Sequence, residues 1–164
     1  MKRLLALILP LAAVGGFALE AAAQNAGQIN LARGGASCPG CNLFQADFSG
    51  GDLKGRNFSK SRLRQADLSL TVMNRSSFAG ADLRDVNAYG GVFSSANFAG
   101  ANLTNASFVG AYLQGVNLRG ATVTGANFSG AEMQGAAVSQ AQLNGACGDE
   151  ATILPPGLRI AACR

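Results

Sequence analysis

Four cysteines are the residues of this sequence best equipped for chemistry, and no histidine accompanies them. Cys38-Pro39-Gly40-Cys41 has the C-x-x-C spacing in which one thiolate attacks a disulfide and its neighbour resolves it, and the same spacing is half of a zinc site. Both readings lack their context. A redox pair normally opens a helix in a βαβ setting, which does not follow here, and zinc wants two more ligands in a chain without histidine. Cys147 and Cys163 bracket the tail, so the even count reads first as disulfides, with three pairings open to four cysteines. Elsewhere no catalytic constellation forms. There is no imidazole for general-base work, the nine Asp and Glu are scattered, and the serines stand without a partner base. The chain reads as non-enzymatic, with no cofactor and no metal.

The residues that must position these cysteines run from Cys41 to Gly145, where a five-residue pattern recurs twenty-one times without insertion or deletion. Every fifth residue from Leu43 to Leu143 is Leu, Phe, Met or Val, with Ala88 the single small exception. Two residues earlier the side chain is usually Ala, and Asn or Asp often stands between the two apolar sites. A period of five suits neither regular element. Positions five apart drift roughly 140° around an α-helix, and in a flat strand an odd spacing throws successive side chains onto opposite faces. The pattern holds together only if the chain turns a corner within each unit and returns every large apolar residue to the inside, which is a solenoid.

Units such as Ala101-Asn102-Leu103-Thr104-Asn105 and Ala126-Asn127-Phe128-Ser129-Gly130 resemble the A-[ND]-[LF]-x-x signature of the pentapeptide repeat family. The resemblance implies an all-β fold, a right-handed quadrilateral parallel β-helix of about five coils, with one unit per face and residues twenty apart stacked. Phe58, Phe78 and Phe98 then form an internal aromatic column continued by Leu118 and Val138. Leu43, Leu63, Leu83, Leu103, Val123 and Leu143 form an aliphatic one. Coils of this kind hold the two ends of the rod about 25 Å apart at a strand spacing near 4.8 Å, whereas a disulfide needs Cα atoms within about 7 Å. The pairing compatible with the implied fold is Cys38 with Cys41 and Cys147 with Cys163. Arg56 occupies a small-residue site, where a guanidinium cannot be left unpaired in an apolar interior, so a local distortion or an outward swing is expected. Val86 and Ala88 read as a compensated pair, and Leu70-Thr71-Val72-Met73 as the weakest unit.

Residues 1–23 read as a secretory signal peptide: Lys2 and Arg3, the apolar run Leu4 to Val14, and an A-x-A site at Ala21-Ala22-Ala23 with cleavage before Gln24. The run is shorter than a membrane span and broken by Pro10, so no stable span is expected after cleavage. The mature chain is expected to be periplasmic or secreted. Residues 24–40 form a flexible lead-in or the first edge of a cap, 41–145 the solenoid, and 146–164 a C-terminal cap in which Ile153, Leu154, Leu158 and Ile160 are the natural lid over Leu143 and Val138. Past the leader, eleven basic and eight acidic residues leave a net charge of 11 − 8 = +3. The basic residues between Phe44 and Asp85 are interleaved with aspartates, which reads as a solvated mixed-charge face and argues against nucleic acid as a ligand. Arg62 and Asp82 are placed to pair across coils.

Val72, Val92 and Tyr112 are twenty apart at a position that normally carries Asn or Asp. With Tyr89 and Val109 on the rim they form a candidate interaction surface for a protein or envelope partner, or for self-association as a homodimer. The leading functional reading is therefore an exported structural or interaction module. Two alternatives stand beside it. One is a thiol redox protein using Cys38 and Cys41. The other follows family members that mimic duplex DNA and act on topoisomerases, a role that calls for an acidic surface where this one is net basic.

Overall fold

The computed structural model describes residues 25–164; the leader expected over residues 1–23 lies outside the described residues. The chain winds as a four-sided parallel coil in which each residue of a face bridges to the residue twenty positions on, or twenty-one at the final rung. The first face carries Asn42, Arg62, Asp82, Asn102 and Thr122, and the second runs from Asp47 through Asp67, Asn87, Ser107 and Asn127 to Cys147. The third carries Asp52, Val72, Val92, Tyr112, Glu132 and Ile153, and the fourth Asn57, Ser77, Asn97, Asn117 and Ala137.

One unit shows why the pentad repeats. In Ala96-Asn97-Phe98-Ala99-Gly100, the Ala96 N–H closes the preceding corner on the Phe93 carbonyl (2.8 Å) and the Asn97 N–H donates to Ser76 in the preceding coil (2.9 Å). Phe98 and Gly100 donate to Asn117 and Arg119 in the following coil (2.8 and 3.0 Å). The remaining N–H, that of Ala99, has no backbone acceptor and donates to the Asn97 side-chain oxygen at 3.1 Å. Asn or Asp at this site is therefore an internal acceptor for the amide two residues on, as in an Asx turn. The same bond joins Ser49 to Asp47, Ser59 to Asn57, Ser69 to Asp67 and Ser129 to Asn127. The unit's last residue lies in the left-handed region, which explains the glycines at the corners, such as Gly100 at φ 66°.

Inside, the expected columns are present. Phe58, Phe78 and Phe98 stack with ring centroids 5.5 and 4.9 Å apart, and Phe93 and Phe108 meet that column edge-on. Leu43, Leu63, Leu83, Leu103, Val123 and Leu143 are buried throughout. Val86 and Ala88 are both buried, the larger side chain at the small site filling what Ala88 vacates. Ser61, Thr71 and Ser76 take small sites and remain tolerable because each hydroxyl donates to a main-chain carbonyl, Phe58, Leu68 and Leu53 respectively. Arg56 is exposed, and its corner is opened: the Arg56 N–H donates to the Ser76 hydroxyl (3.1 Å), which in turn donates to the Leu53 carbonyl (2.9 Å).

The ends add to the sequence reading or depart from it in four places. Of the two readings of the segment before Cys38, flexible lead-in or edge of a cap, the structure takes the cap: it contains a helix, α1 (Ala26–Arg33), capped by the Asn25 side chain and laying Ile29 and Ala32 on the open core. Its Gln28 side chain accepts the Asn42 N–H (2.7 Å), supplying the acceptor that a preceding coil would have provided. The solenoid also starts one unit earlier than Cys41: Cys38 is buried, and Cys38 and Gly40 donate to Asn57 and Ser59 as any other unit does. At the far end the last pentad is replaced by a single helical turn, α2 (Gln140–Leu143). Its Ser139–Gln142 capping box satisfies the turn locally, so Ala141 is exposed while Leu143 still reaches the core.

Beyond α2 the coil resumes at β1 (Cys147–Gly148), which pairs in parallel with β2 (Ala161–Ala162) of the tail. Leu154 and Ile160 pack on the core as a lid should. Ile153 does not. It takes the outward-facing rung opposite Glu132 on the third face and is 45% exposed. Disulfides join Cys38 to Cys41 and Cys147 to Cys163, with Cα atoms 5.5 and 4.8 Å apart. Among the described residues no helix is long and apolar enough to cross a membrane.

Two outcomes follow for the C-terminal cap. The Cys147–Cys163 bridge closes a 16-residue separation, and a Cys147→Ser/Cys163→Ser variant is expected to lose about 3 kcal/mol in urea unfolding. Asp149 accepts the Gly130 N–H (2.8 Å), the Thr152 hydroxyl and the Ala151 N–H. The Gly130 amide, foremost, holds its carboxyl below the usual value. A depressed carboxylate stabilises the folded state above its unfolded pKa and loses that contribution as pH falls through the lower, folded value. The Gly130 amide resonance should titrate at that depressed value and cease to titrate in Asp149→Asn.

Candidate functional site

A solenoid whose every face obeyed the pentad rule would present four polar ladders of nearly identical chemistry, so a site must lie where the rule is relaxed. The third face is that place. Val72, Val92 and Tyr112 stand there as consecutive bridged rungs, Val72 and Val92 half-buried and Tyr112 exposed. The corner leading into this face holds Tyr89, which is exposed, and Val109, which is half-buried. The structure adds Leu70 to them, 60% exposed and at φ 56°. A leucine in the left-handed region costs about 1–2 kcal/mol, and this one occupies a corner that glycine fills at Gly50, Gly90, Gly110 and Gly130 of the same column. Its tip lies over Gly90, so close that a Cβ there would meet Leu70 Cδ2 at 2.9 Å. Four of the five large exposed apolar side chains among the described residues, Leu70, Tyr89, Tyr112 and Ile153, belong to this face and its leading corner.

Losing Asn or Asp from these rungs has a second effect. Valine has no acceptor and the tyrosine hydroxyl lies at the far end of its ring, so the amides two residues on are not served as Ala99 is by Asn97. Among the described residues the N–H groups of Asn74, Ser94 and Gln114 have no hydrogen-bond acceptor in the protein. They form a column along the corner that leaves the third face. A groove of about 430 Å³ runs along that corner, lined by Lys54, Gly55, Asn74, Arg75, Ser94 and Ser95. The Asn74 Oδ1 atom is the one buried side-chain polar atom without a partner among the described residues.

The charges separate into satisfied and unsatisfied sets. Arg84 grips Asp82 through two bonds (2.7 and 2.6 Å), Arg64 reaches Asp85 (3.3 Å), and Arg33 pairs with Asp47 while donating to its carbonyl at 2.6 Å. The Arg84 guanidinium, as a hydrogen-bond donor above all, lowers the Asp82 pKa. Arg84, two residues along its own turn, thus provides Asp82 with an ion pair that the expected cross-coil contact with Arg62 overlooked. Lys54 pairs with Asp52 at 2.9 Å. Arg75, at φ 60° on the groove, makes no ion pair among the described residues. Glu132, two rungs past Val92, accepts from the Gln114 side chain (2.6 Å).

The sequence placed Val72, Val92, Tyr112, Tyr89 and Val109 together, and the structure brings them to one face and its corner. It left out Leu70, although a leucine at a glycine position two residues before Val72 is a readable signal. The amide column was also missed, because its cause is the hydrogen-bonding role of the residue that valine replaces. The cysteines serve neither the face nor the groove. Cys38 is buried under the first coil, Cys41 is half-buried, and the other pair ties the tail.

These features define a disulfide-stapled, four-sided β-solenoid built from pentads. A family model described as pentapeptide repeats matches eight copies over residues 57–87, 92–130 and 111–147, more than half of the chain, and the chain belongs to that family. A search of curated proteins gives no match. Among solved structures it is similar to a pentapeptide repeat protein of the Arabidopsis thaliana thylakoid lumen, at 27% identity and a TM-score of 0.32, covering 65% of this chain and 59% of that one. It is also similar to QnrB1, a plasmid-mediated fluoroquinolone resistance protein, at 20% identity over 74% of this chain and 76% of that chain, with a TM-score of 0.47. A third likeness is to Rfr23 from the cyanobacterium Cyanothece 51142, at 24% identity over 78% of this chain and 95% of that chain, with a TM-score of 0.34.

Proposed function

We propose that this is an exported interaction module without catalytic activity, a rigid rod that presents its third face to a protein partner in the periplasm, envelope or medium. The observation that carries the reading is the concentration of exposed apolar side chains on one face, at positions where the repeat otherwise places Asn, Asp or Gly. Burying such a strip against a partner is favourable by roughly 25 cal/mol per Å² of apolar surface, whereas exposing it in isolation serves no folding purpose. Export rests on the leader-like residues 1–23 and suits the two disulfides, which persist in an oxidising compartment.

The redox alternative has less support. Cys38 is a core residue of the first unit, 2% exposed, and reducing its bridge would disturb the start of the solenoid before it served a substrate. DNA mimicry calls for a continuous acidic surface, which the net charge of +3 past the leader does not supply.

The test is capture from the organism's own envelope fraction and culture medium with the mature, oxidised protein, its amino terminus read by sequencing. The expected result is an amino terminus at Gln24 and a retained protein that is lost with Val92→Asp and with Tyr112→Ser. Equal capture by all three forms contradicts the assignment of this face, and recovery of the full-length chain from the cytoplasm contradicts export.

A further inference from the structure

We infer that the third face and the groove on its trailing corner act together, docking an acidic, extended segment of the partner protein. An aliphatic or aromatic side chain of that segment rests on Val72, Val92 and Leu70, and a neighbouring carboxylate enters the groove between Arg75 and the amide column. The inference rests on the protein-binding reading and names the chemistry of the partner.

Two independent observations, a column of amides and an unpaired guanidinium, converge on an anionic oxygen. Asn74 and Ser94 line the groove and their N–H groups lack acceptors in the protein, and the Gln114 N–H continues that column one coil on. In units that carry Asn or Asp, such as those of Asp47, Asn57, Asn97 and Asn127, the group that satisfies this amide is the side-chain oxygen, so a carboxylate supplied from outside reproduces a bond the fold makes for itself elsewhere. Arg75 adds a guanidinium that no aspartate neutralises, in contrast to Arg33, Arg64 and Arg84. Lys54 adds an ammonium whose charge is matched by Asp52, leaving the groove one positive charge in excess. Guanidinium and main-chain amides together favour a planar, bidentate acceptor.

The apolar half of the surface selects the source of that carboxylate. Three rungs at about 4.8 Å spacing make a strip only about 10–15 Å long, whereas the roughly 800 Å² per partner that a stable dimer buries corresponds to a patch about 28 Å on a side. A second copy of this rod would also bring Arg75 and Lys54 without a matching acidic strip. An extended peptide fits instead: its side chains on one face repeat every 6–7 Å, and three residues bridge from Val72 to Arg75 within about 10 Å. Leu70, Val72 and Val92 form an aliphatic centre that suits peptide side chains, while Tyr89 and Tyr112 beside it are faces on which a sugar ring stacks, so a polysaccharide is the competitor the test includes.

The experiment uses the full mature chain and fluorescent peptides of alternating sequence Glu-Leu-Glu-Phe-Glu, with Gln and Lys counterparts, read by anisotropy at about 0.05 and 0.5 M salt. The acidic peptide is expected to bind about tenfold or more tightly than the Gln peptide and to weaken with salt. Arg75→Glu should remove that preference. Val92→Asn is the variant least able to disturb folding, because it restores the residue the repeat prefers. It satisfies the Ser94 amide internally and should abolish binding while leaving the melting temperature equal or higher. Equal binding of the Glu and Gln peptides, or undiminished binding in Arg75→Glu and Val92→Asn, overturns the inference, as does binding of polygalacturonate in place of the peptide. If Val92→Asp abolishes partner capture while Arg75→Glu leaves it intact, the protein-binding reading stands and this one falls. If neither substitution matters, both fall.

Discussion

Everything in this molecule depends on main-chain amides finding acceptors in the coils before and after them. Within a pentad one N–H closes the corner, one reaches back a coil and two reach forward, so a coil cut out of the stack would leave most of its polar groups bare. Burying a main-chain polar group without a partner is costly enough to decide folding, and it accounts for the ends as directly as for the middle. Gln28 and Ser37 supply acceptors for Asn42 and Asn57 where no coil precedes. At the other end the Gln142 amide donates to the Leu118 and Ala121 carbonyls. The disulfides fasten these caps.

The fifth amide of each pentad explains the repeat's polar position. Asn and Asp are there because the residue two places on has nowhere else to donate, so their replacement by valine or tyrosine is a loss twice over, of a hydrogen bond and of polar surface. The third face accepts that loss on three consecutive coils, and the adjoining corners accept left-handed Leu70 and Arg75 as well. Departures that destabilise a fold locally and lie together on one surface are the pattern expected of a binding site rather than of drift.

Much of the interior was legible because five-residue spacing with large apolar residues calls for a chain that turns a corner in each unit, and the resemblance to the pentapeptide repeat family supplies the four units per coil that put residues twenty apart into columns. Phe58, Phe78 and Phe98 could be stacked on paper for that reason. The ends were not legible in the same way. Gln140–Leu143 keeps the repeat's apolar Leu143, yet Ser139 and Gln142 form a capping box whose local bonds outweigh one more pentad. Ile153 reads as a lid residue by hydropathy but is drawn outward by the Glu132 ladder. Of the candidate site, the alignment of Val72, Val92 and Tyr112 followed from arithmetic. Leu70 and the bare amides of Asn74, Ser94 and Gln114 required the bonding pattern itself, since the sequence shows which residue is missing but not which amide it served.

If coils lend one another their acceptors, they cannot unfold singly. The most direct measurement is native-state hydrogen exchange, resolved to individual coils, in a chain weakened at its centre by Leu103→Ala. Mutual dependence predicts that protected amides of the first face in every coil, such as Leu43, Leu63 and Leu83, lose protection together, by the same free energy as the central coil. Protection falling around Leu103 alone, with the outer coils unchanged, would contradict it.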